Sequence, residues 1–304
     1  MIHIKGPDEI QQMRVAGAIS KAALRVAGTM AIPGVTTAAI DRAVEDYIRA
    51  QGAKPTFKGY GGFPGSICAS PNAQIVHGIP SENTVLQAGD ILSIDTGATK
   101  DGWVGDNAWT FLVGEVAPEI QGLCEITRDC LVAGIEQAVP GNRLGDIGYA
   151  VQRLAEAHGY GVVREYVGHG VGRKMHEDPN VPNYGRPGRG VKLQVGMVIA
   201  IEPMITLGSY DTRIWSNGWT VQTADGLAAA HYENTVAITA DGPLILTADE
   251  LGPWCAMHGG IESEGEAPRD TERPEQEVSQ KPLAEPDDAS DGISPDSTAA
   301  ETSG

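Results

Sequence analysis

Residues 31–52 read AIPGVTTAAIDRAVEDYIRAQG, and residues 138–159 read AVPGNRLGDIGYAVQRLAEAHG. Eight residues are identical between the two stretches at a constant spacing of 107 positions, beginning with Ala31 and Ala138. In each stretch a Pro-Gly turn precedes apolar residues at helical spacing, and a glycine suited to a helix C-cap follows. The match predicts an internal duplication, although two ordinary amphipathic helices that are alike by coincidence would give the same pattern.

The sequence around each copy extends the repeat in both directions. Another helical stretch precedes each copy, beginning at Pro7 and at Pro118, and strand-like sequence follows each copy. Pro7 suits the first position of a helix, because the N–H that proline lacks would have no helical partner there. We therefore predict an α+β fold of two similar halves, about residues 1–115 and 116–250, that share one sheet system and one core.

Acidic residues are concentrated towards the C-terminal end of the chain. The formal net charge is −18, and residues 261–304 contain 13 acidic and 3 basic residues, a net charge of −10. This segment has few apolar residues and cannot bury enough surface to offset the entropy lost on ordering. We predict that residues 1–255 form one domain and that residues 256–304 are a disordered acidic tail. The acidic body also argues against nucleic acid binding.

The cysteine pattern and the N-terminal residues favour a reducing compartment. The four cysteines show no C-x-x-C spacing, which argues against a zinc knuckle and against a disulfide framework. The start of the chain lacks a basic segment followed by an apolar one, and no apolar run approaches the ~18 residues that a membrane helix needs. We expect a soluble, cytoplasmic, monomeric protein that does not associate with membranes.

Residues 88–106, AGDILSIDTGATKDGWVGD, predict a β-hairpin, because alternating residues flank a Lys-Asp-Gly turn signal at positions 100–102. If the turn centres on the first two of these residues, Asp95 and Asp106 lie directly opposite each other. Two carboxylates roughly 5 Å apart at Cβ would repel each other unless a cation lies between them. The alternative is that Asp106 belongs to a second turn and that Asp95 merely ends a strand.

The repeat adds further candidates for a metal site. The spacing of 107 positions carries Asp95 onto Glu202, and both follow a run of apolar strand residues, so both should reach the place where the halves meet. Glu233 lies on a β-branched strand, where glutamate is an unusual choice unless it is paired or lies at an exposed edge. His169 lies in a glycine-rich turn and offers an imidazole nitrogen, although an isolated histidine is more often structural.

Together these residues form a set suited to metal ions: Asp95, Asp106, His169, Glu202 and Glu233. Two divalent cations would balance the four negative charges. Two metals roughly 3.5–4 Å apart share bridging carboxylates, hold a hydroxide at neutral pH and polarise a carbonyl, as hydrolysis of a peptide bond requires. The sequence therefore predicts a dinuclear hydrolytic centre with two divalent cations, which could be cobalt, manganese, iron or zinc.

The order of these residues resembles that of the methionine aminopeptidases, metallopeptidases of the pita-bread fold, over about residues 3–250. The resemblance is carried by His77-Gly-Ile-Pro80, Ser93-Ile-Asp-Thr, Gly105-Asp106, Gly168-His-Gly-Val-Gly, Ile201-Glu-Pro-Met and Tyr232-Glu-Asn-Thr. Only 33 residues separate His169 from Glu202, so the chain resembles the compact type I members.

This resemblance implies two pseudo-symmetric halves around a central antiparallel sheet, with residues 1–255 as the catalytic domain. It also implies an activity: removal of the initiator methionine from nascent polypeptides that have a small uncharged second residue. The partners would then be emerging N-termini close to the ribosome.

The resemblance further implies a role for each metal ligand. Asp95 would chelate one metal, His169 and Glu202 would bind the other, and Asp106 and Glu233 would bridge the two. Glu202 matches the residue proposed as the general base, although a carboxylate bound to a metal is a weaker base than a free one.

Other matched positions would contact the substrate. His77 and His176 match two histidines that contact the peptide and stabilise the transition state. The implied methionine pocket, of which each member could equally be plain core, consists of Tyr60, Phe63, Cys68, Met175 and Trp219. Several residues differ from common family choices and leave the pocket shape and metal affinity open: Phe57, Gly61, Phe63, Asn107, Met175 and Asn234.

Two other interpretations stay open. Proline-specific relatives, aminopeptidase P and prolidase, share the five ligands but usually carry a large additional N-terminal domain, whereas here the ligand-bearing body begins close to Met1. The His77-Gly-Ile-Pro80 motif and Trp219 favour methionine. A non-catalytic protein of the pita-bread fold would use the fold only as a partner surface, but such a protein would have lost metal ligands, and here all five are present.

Overall fold

The computed structural model describes residues 1–248, and the predicted acidic tail, residues 256–304, lies outside the described residues. Its α-helices, in chain order, are α1 (Pro7–Met30), α2 (Thr37–Ala50), α3 (Pro118–Glu136) and α4 (Leu144–Ala157). Each lies where the sequence predicted a helix. The first and last residues of α2 and α4 differ by 107 positions, so the helices repeat at the predicted spacing.

The ends of the repeated helices follow from local chemistry. The Thr36 hydroxyl accepts the backbone N–H of Ala39 at 3.1 Å and so caps the first turn of α2. Gly52 and Gly159 follow α2 and α4 with φ of +64° and +78°. This left-handed conformation favours glycine just after a helix C-terminus, so the predicted C-cap glycines are confirmed.

Short strands make up most of the remaining regular structure. In chain order they are β1 (Lys54–Pro55), β2 (Ile67–Pro71), β3 (Gln74–Val76), β4 (Ile91–Lys100), β5 (Trp103–Leu112), β6 (Gly161–Val162), β7 (Gly168–Gly170), β8 (Glu177–Val181), β9 (Val198–Ile201), β10 (Met204–Thr206), β11 (Thr212–Ile214), β12 (Val221–Thr223), β13 (Ala229–His231), β14 (Asn234–Thr239) and β15 (Gly242–Ile245). Every pairing of these strands is antiparallel.

The strands form four hydrogen-bonded sheets within the described residues. In the first, β4 pairs with β5 along its whole length and with β2 and β1 on its other edge. The largest sheet of the second half has the order β15-β14-β9-β7-β8, and two three-stranded sheets have the orders β13-β10-β6 and β11-β12-β3. Strand β3 thus pairs with β12 from the other half of the chain.

The predicted hairpin is present, but its turn lies one residue further along the chain than predicted. Asp101 and Gly102 form the two-residue loop, with φ of +50° and +80°, and Lys100 pairs with Trp103. Loops of this kind need positive φ at both positions, which Asp-Gly accepts more readily than Lys-Asp does. The turn chemistry therefore decided the register.

As a result, the prediction that two aspartates face each other directly is wrong. Asp95 pairs with Ala108, and Asp106 pairs with Gly97. The correction moves each partner by two residues, and side chains two residues apart on a strand point to the same face. Asp95 and Asp106 are therefore diagonal neighbours on one face of the hairpin, which keeps both carboxylates within reach of one site.

One apolar core runs through both halves. Helix α1 packs against β4 and β5, and α3 packs against α4, β10 and β13. The same buried cluster contains Leu24 and Ile94 from the first half and Leu131 and Ile201 from the second. Burying each such side chain stabilises the fold by about 1.5–3 kcal/mol, so separating the halves would be costly. Among residues 1–248, no helix combines the length and apolarity needed to span a bilayer.

Candidate metal centre and active site

The site residues predicted from the sequence all line one cavity of about 190 Å³. They are Tyr60, Phe63, Cys68, His77, Asp95, Asp106, His169, Met175, His176, Glu202, Trp219 and Glu233. The predicted ligands come from both halves of the chain, on β4, β5 and β7, just after β9, and between β13 and β14. Folding is therefore what brings the scattered motifs together.

The cavity lies where the two repeated halves meet. Three pairs of its lining residues differ by 107 positions, namely Tyr60 with Val167, Cys68 with Met175, and Asp95 with Glu202. Equivalent positions of the two halves thus converge on the same space. Asp95 and Glu202 in particular line the same cavity.

His169 presents one nitrogen to the acidic residues. Its Nδ1 lies 2.9 Å from the Gly170 carbonyl oxygen. Since a carbonyl can only accept, Nδ1 carries the proton and Nε2 keeps its lone pair. Nε2 lies 3.6 Å from Asp106 Oδ2 and 3.6 Å from Glu202 Oε1. His169 Nε2 therefore faces an oxygen of each of two predicted metal ligands.

Glycines on either side of His169 allow its strand to fit. A Cβ on Gly168 would lie 2.3 Å from the Ala200 carbonyl oxygen, and one on Gly170 would lie 2.2 Å from the Asp178 carbonyl oxygen. Both distances are well below contact, so β7 can lie between β9 and β8 only with glycine at these positions. This is the physical reason for the Gly-His-Gly motif.

Burial raises the pKa values of all four carboxyl groups. It is the largest cause in each case and brings the pKa of both Asp95 and Glu202 to about 7. The pKa values of Asp106 and Glu233 lie well above the usual range, because the other carboxylates add repulsion to burial. The groups therefore resist sharing this space as bare anions, and positive charge at the site would relieve the conflict.

Three of these carboxyl groups each have one buried oxygen without a hydrogen-bond partner among the described residues. These oxygens are Asp95 Oδ1, Asp106 Oδ1 and Glu233 Oε1. Leaving such oxygens unpaired is costly. Hard divalent cations prefer carboxylate oxygens, and imidazole is a common additional ligand of manganese, iron, cobalt or zinc. The donor set therefore fits divalent metal ions.

Two overlapping groups of donor atoms could each hold an ion. Ligand atoms of Asp106, His169 and Glu233 lie within 4.8 Å of one another, as do ligand atoms of Glu202, His231 and Glu233. Glu233 belongs to both groups, which is the placement expected of a bridging ligand.

The two predicted substrate histidines lie beside this centre. His77 is a non-glycine residue with φ of +58°, a strained conformation that often marks functional sites. Burial and the nearby His231 lower the pKa of His77 to about 4. Burial and the nearby His77 also lower the pKa of His176, whose Nδ1 lies 2.8 Å from the Tyr60 hydroxyl. Both rings are therefore neutral at pH 7.

Apolar side chains line the remainder of the cavity. Phe63 and Trp219 pack edge to face with ring centroids 5.2 Å apart. Cys68 on β2 pairs with Asp95 on β4, so the apolar lining adjoins the metal ligands. Phe63, Cys68 and Met175 are buried, and Tyr60 is 46% exposed. The cavity thus combines acidic and apolar surfaces.

The two unusual asparagines connect the segments that carry predicted ligands to neighbouring elements. Asn107 Oδ1 accepts the Ser20 hydroxyl of α1 at 2.7 Å. Asn234 Nδ2 donates to the Thr247 hydroxyl at 2.7 Å. Each asparagine directly follows a predicted ligand, and neither lines the cavity. Their contacts connect the strands to neighbouring elements of the fold.

The structure adds His231, which the sequence analysis missed. Its side chain is buried, and Nε2 lies 3.6 Å from Glu202 Oε2. In sequence, His231 precedes Glu233 by two residues within a stretch that predicts a strand, where alternation would place both on one face, although Glu233 lies between β13 and β14 in the structure. That alternation was the available signal. Further lining residues that were not predicted are Val76, Tyr166, Val167 and Met204.

A buried set of four carboxylates and an imidazole, beside two neutral histidines, defines a metal-dependent hydrolase. Consistent with this class, the profile of metallopeptidase family M24 matches residues 11–240, and the chain belongs to this family. Within it, the chain is 56% identical over 250 residues to a methionine aminopeptidase of Clostridium acetobutylicum, covering 82% of this chain and all of that relative. The predicted resemblance to methionine aminopeptidases is therefore confirmed.

Solved structures give the same picture of the fold. The crystal structure of the methionine aminopeptidase from Thermotoga maritima matches with a TM-score of 0.81 and 44% identity, covering 82% of this chain and all of that one. The predicted pita-bread fold is thereby confirmed. Prolidase from Pyrococcus furiosus matches with a TM-score of 0.66 and 26% identity, and the match covers only 66% of that chain. The greater similarity is thus to the methionine enzymes.

Proposed function

We propose that the protein hydrolyses the first peptide bond of nascent polypeptides and releases the initiator methionine, with preference for a small uncharged second residue. The observation that carries this proposal is the cavity itself, in which a candidate metal centre adjoins an apolar pocket. The 56% identity to a relative named methionine aminopeptidase supports the same activity. Proline-specific chemistry has weaker support, because the prolidase match is 26% identical.

The proposed centre holds two divalent cations. Asp95 would hold one, His169 and Glu202 would hold the other, and Asp106 and Glu233 would contribute to both. The presence of Glu233 in both groups of donor atoms supports its bridging role. Two such cations, when bound, supply Lewis acidity towards the scissile carbonyl and lower the pKa of water towards neutrality. Cobalt, manganese, iron and zinc all suit this donor set.

Glu202 is the proposed proton carrier of the reaction. It takes the proton of the attacking water and delivers it to the nitrogen of the leaving peptide, so the carboxylate is regenerated. Burial brings the pKa of this carboxyl group to about 7 without metal. A bound cation lowers that pKa, which is why the base is weaker than a free carboxylate would be. Glu202 Oε1 lies 3.6 Å from His169 Nε2, so the carboxyl group belongs to the proposed metal centre.

His176 is proposed to donate a hydrogen bond to the oxygen of the scissile carbonyl. The Tyr60 hydroxyl lies 2.8 Å from His176 Nδ1, and in this role Tyr60 would be the donor. The neutral ring then carries its proton on Nε2, where it is available to the substrate. His77, which directly follows β3, is proposed to contact the peptide as a second neutral imidazole. Such preorganised donors stabilise the negative charge that develops on the carbonyl oxygen.

The apolar lining is proposed to select methionine. A cavity of about 190 Å³ suits a single unbranched side chain. Thioether sulfur packs favourably against aromatic rings, and Phe63 and Trp219 offer such rings. Tyr60 is partly exposed, which places it towards the opening of the cavity, where the second residue of the substrate would pass. A narrow opening favours a small second residue.

The partner and compartment follow from this substrate. We propose that the protein works in the cytoplasm, close to the ribosome, as a monomer that processes emerging N-termini.

Hydrolysis of two peptides by metal-stripped protein tests the activity. Met-Ala-Ser and Ala-Pro-Ser are incubated with and without manganese, cobalt or ferrous iron, and the free amino acids are measured. We expect metal-dependent release of methionine alone. Release of alanine would favour a proline-specific enzyme, and no release with any metal would favour a non-catalytic binding protein.

A further inference from the structure

His231 lies beside the oxygen of Glu202 that His169 does not approach. His169 Nε2 is 3.6 Å from Glu202 Oε1, and His231 Nε2 is 3.6 Å from Glu202 Oε2. The carboxylate therefore lies between two imidazoles, each next to a different oxygen. His231 Nε2 is buried and has no hydrogen-bond partner within residues 1–248. Burying a polar atom without a hydrogen-bond partner costs free energy, which indicates that this nitrogen has a role at the site.

Contacts around His231 hold its backbone firmly. The Thr110 hydroxyl accepts the backbone N–H of His231 at 2.9 Å and donates to its carbonyl oxygen at 2.9 Å. Ser93 supplies a second hydroxyl 2.9 Å from that of Thr110. The ring of the next residue, Tyr232, packs edge to face on Trp109 with centroids 4.7 Å apart. His231 is thus directed at Glu202 by a rigid strand.

We propose that His231 is a positioning residue: its Nε2–H donates a hydrogen bond to Glu202 Oε2 and so keeps Oε1 turned towards the metal shared with His169. This inference rests on the proposed function, because it assumes that Glu202 binds a metal. A ligating carboxylate needs a donor for the oxygen that faces away from the ion, and such donors set ligand orientation. The present separation exceeds a hydrogen bond by roughly half an ångström, which a small side-chain rotation closes.

The same nitrogen could instead bind a metal directly, and two substitutions separate these roles. In His231→Gln, the amide nitrogen takes the position of Nε2 and donates a proton, but it is a poor metal ligand. In His231→Asn, the amide ends one bond short and cannot reach Glu202. Both replacements are polar and similar in size, so they disturb the buried strand to a similar extent.

The test is a calorimetric titration of manganese and of cobalt into metal-stripped full-length protein. We expect His231→Asn to weaken binding at the tighter site about 10- to 100-fold, and His231→Gln to stay within about threefold of the parent. His158→Asn, a change at an exposed position after α4, is the matched control and should bind like the parent. Equal losses in the Gln and Asn variants would overturn the proposal in favour of direct ligation, and parental affinity in both would overturn it outright.

Two further measurements keep the outcome clear. Circular dichroism and thermal melts of the metal-free variants report folding. If His231→Asn does not fold, X-ray absorption of the metal-loaded parent counts the imidazole ligands. One imidazole per pair of ions, together with parental affinity in His231→Gln, supports the proposal. Two imidazoles per pair of ions overturn it. Failure of the parent to bind any metal would reject the metal centre itself, whereas parental binding with unaffected variants rejects only the role of His231.

Discussion

Lys5 Nζ donates to Glu177 Oε2 across 2.8 Å, and the Lys5 side chain is 1% exposed. The other oxygen of Glu177 accepts the backbone N–H groups of Arg173 and Lys174 at 2.9 and 3.2 Å. Burial works against ionisation of Glu177, but Lys5 and the two amides outweigh it and lower its pKa. The contact between Lys5 and Glu177 therefore holds the loop that carries His176 against the N-terminal segment.

Breaking this pair should destabilise the protein and disturb the loop. Lys5→Met leaves the Glu177 carboxylate partly buried without its cation, which costs about 3–5 kcal/mol for pairs of this type. We expect the double variant Lys5→Met with Glu177→Gln to recover part of the loss, because no unpaired charge then remains. Urea unfolding at pH 7.5 measures both. Additive losses in the double variant would show that the two residues are not coupled.

Removing a proposed bridging ligand should abolish turnover. Asp106→Ala or Glu233→Ala deletes an oxygen donor that both ions would share in the proposed centre, so the pair of cations would no longer be held together. We expect methionine release to fall to background and the metal content to fall from two ions to at most one. Glu156→Ala, at an exposed position of α4, serves as the control. Full turnover in either bridge variant would mean that the centre is not dinuclear.

Metal-free protein should become less stable as the pH rises from about 4 to above 7. The folded-state pKa of both Asp95 and Glu202 is about 7, mainly because of burial. Unfolded carboxyl groups lose their protons near pH 4, so the folded state binds more protons between these values and its stability falls with pH. We expect the melting temperature in chelator to drop by about 5 °C or more between pH 5 and 8.

Added manganese should remove most of this dependence, because a bound cation favours the ionised carboxylates. Melting curves at matched ionic strength, with chelator or with manganese, provide the comparison. A stability that rises with pH in chelator would contradict the assigned burial effect.

Loss of the Tyr60 hydroxyl should slow the chemical step. Tyr60→Phe removes the hydrogen bond to His176 Nδ1, and a bond of this kind contributes about 1 kcal/mol. We expect kcat to fall about 3- to 10-fold with little change in KM, because the ring still packs at the opening. Tyr149→Phe, at an exposed position of α4, should behave like the parent. A rise in KM alone would assign Tyr60 to substrate binding only.

Truncation after Gly260 should leave turnover intact. Every residue of the candidate site lies between Phe57 and Glu233, and the acidic tail supplies none of the proposed ligands. Steady-state kinetics of the two chain lengths on Met-Ala-Ser should agree within about twofold. A larger loss would give the tail a direct part in the reaction.

Much of the fold was predictable because its signals are local or periodic. The α2 and α4 helices show apolar spacing, opening turns and closing glycines within 22 residues of sequence. The grouping of the acidic residues in one cavity was also predictable, because binding hard cations restricts the residue types, and the repeat connects Asp95 with Glu202. Both kinds of signal can be recognised in a single sequence without any structural information.

What could not be predicted depended on small energy differences or on distant pairings. The hairpin register depends on whether Lys100-Asp101 or Asp101-Gly102 forms the loop, and these two loops differ by a shift of only one residue. The pairing of β3 with β12 and the contact of Lys5 with Glu177 join segments far apart in the chain. No local pattern reports such contacts. His231 was missed because one histidine on a buried strand is usually structural.

The paired positions around the cavity have a consequence for the orientation in which a peptide binds. A chain entering a space lined by identical residues from both halves could lie in either direction with equal energy. Here Tyr60 is matched by Val167, Cys68 by Met175 and Asp95 by Glu202, so the two directions meet different chemistry. The divergence of the repeated positions therefore favours one of the two orientations over the other.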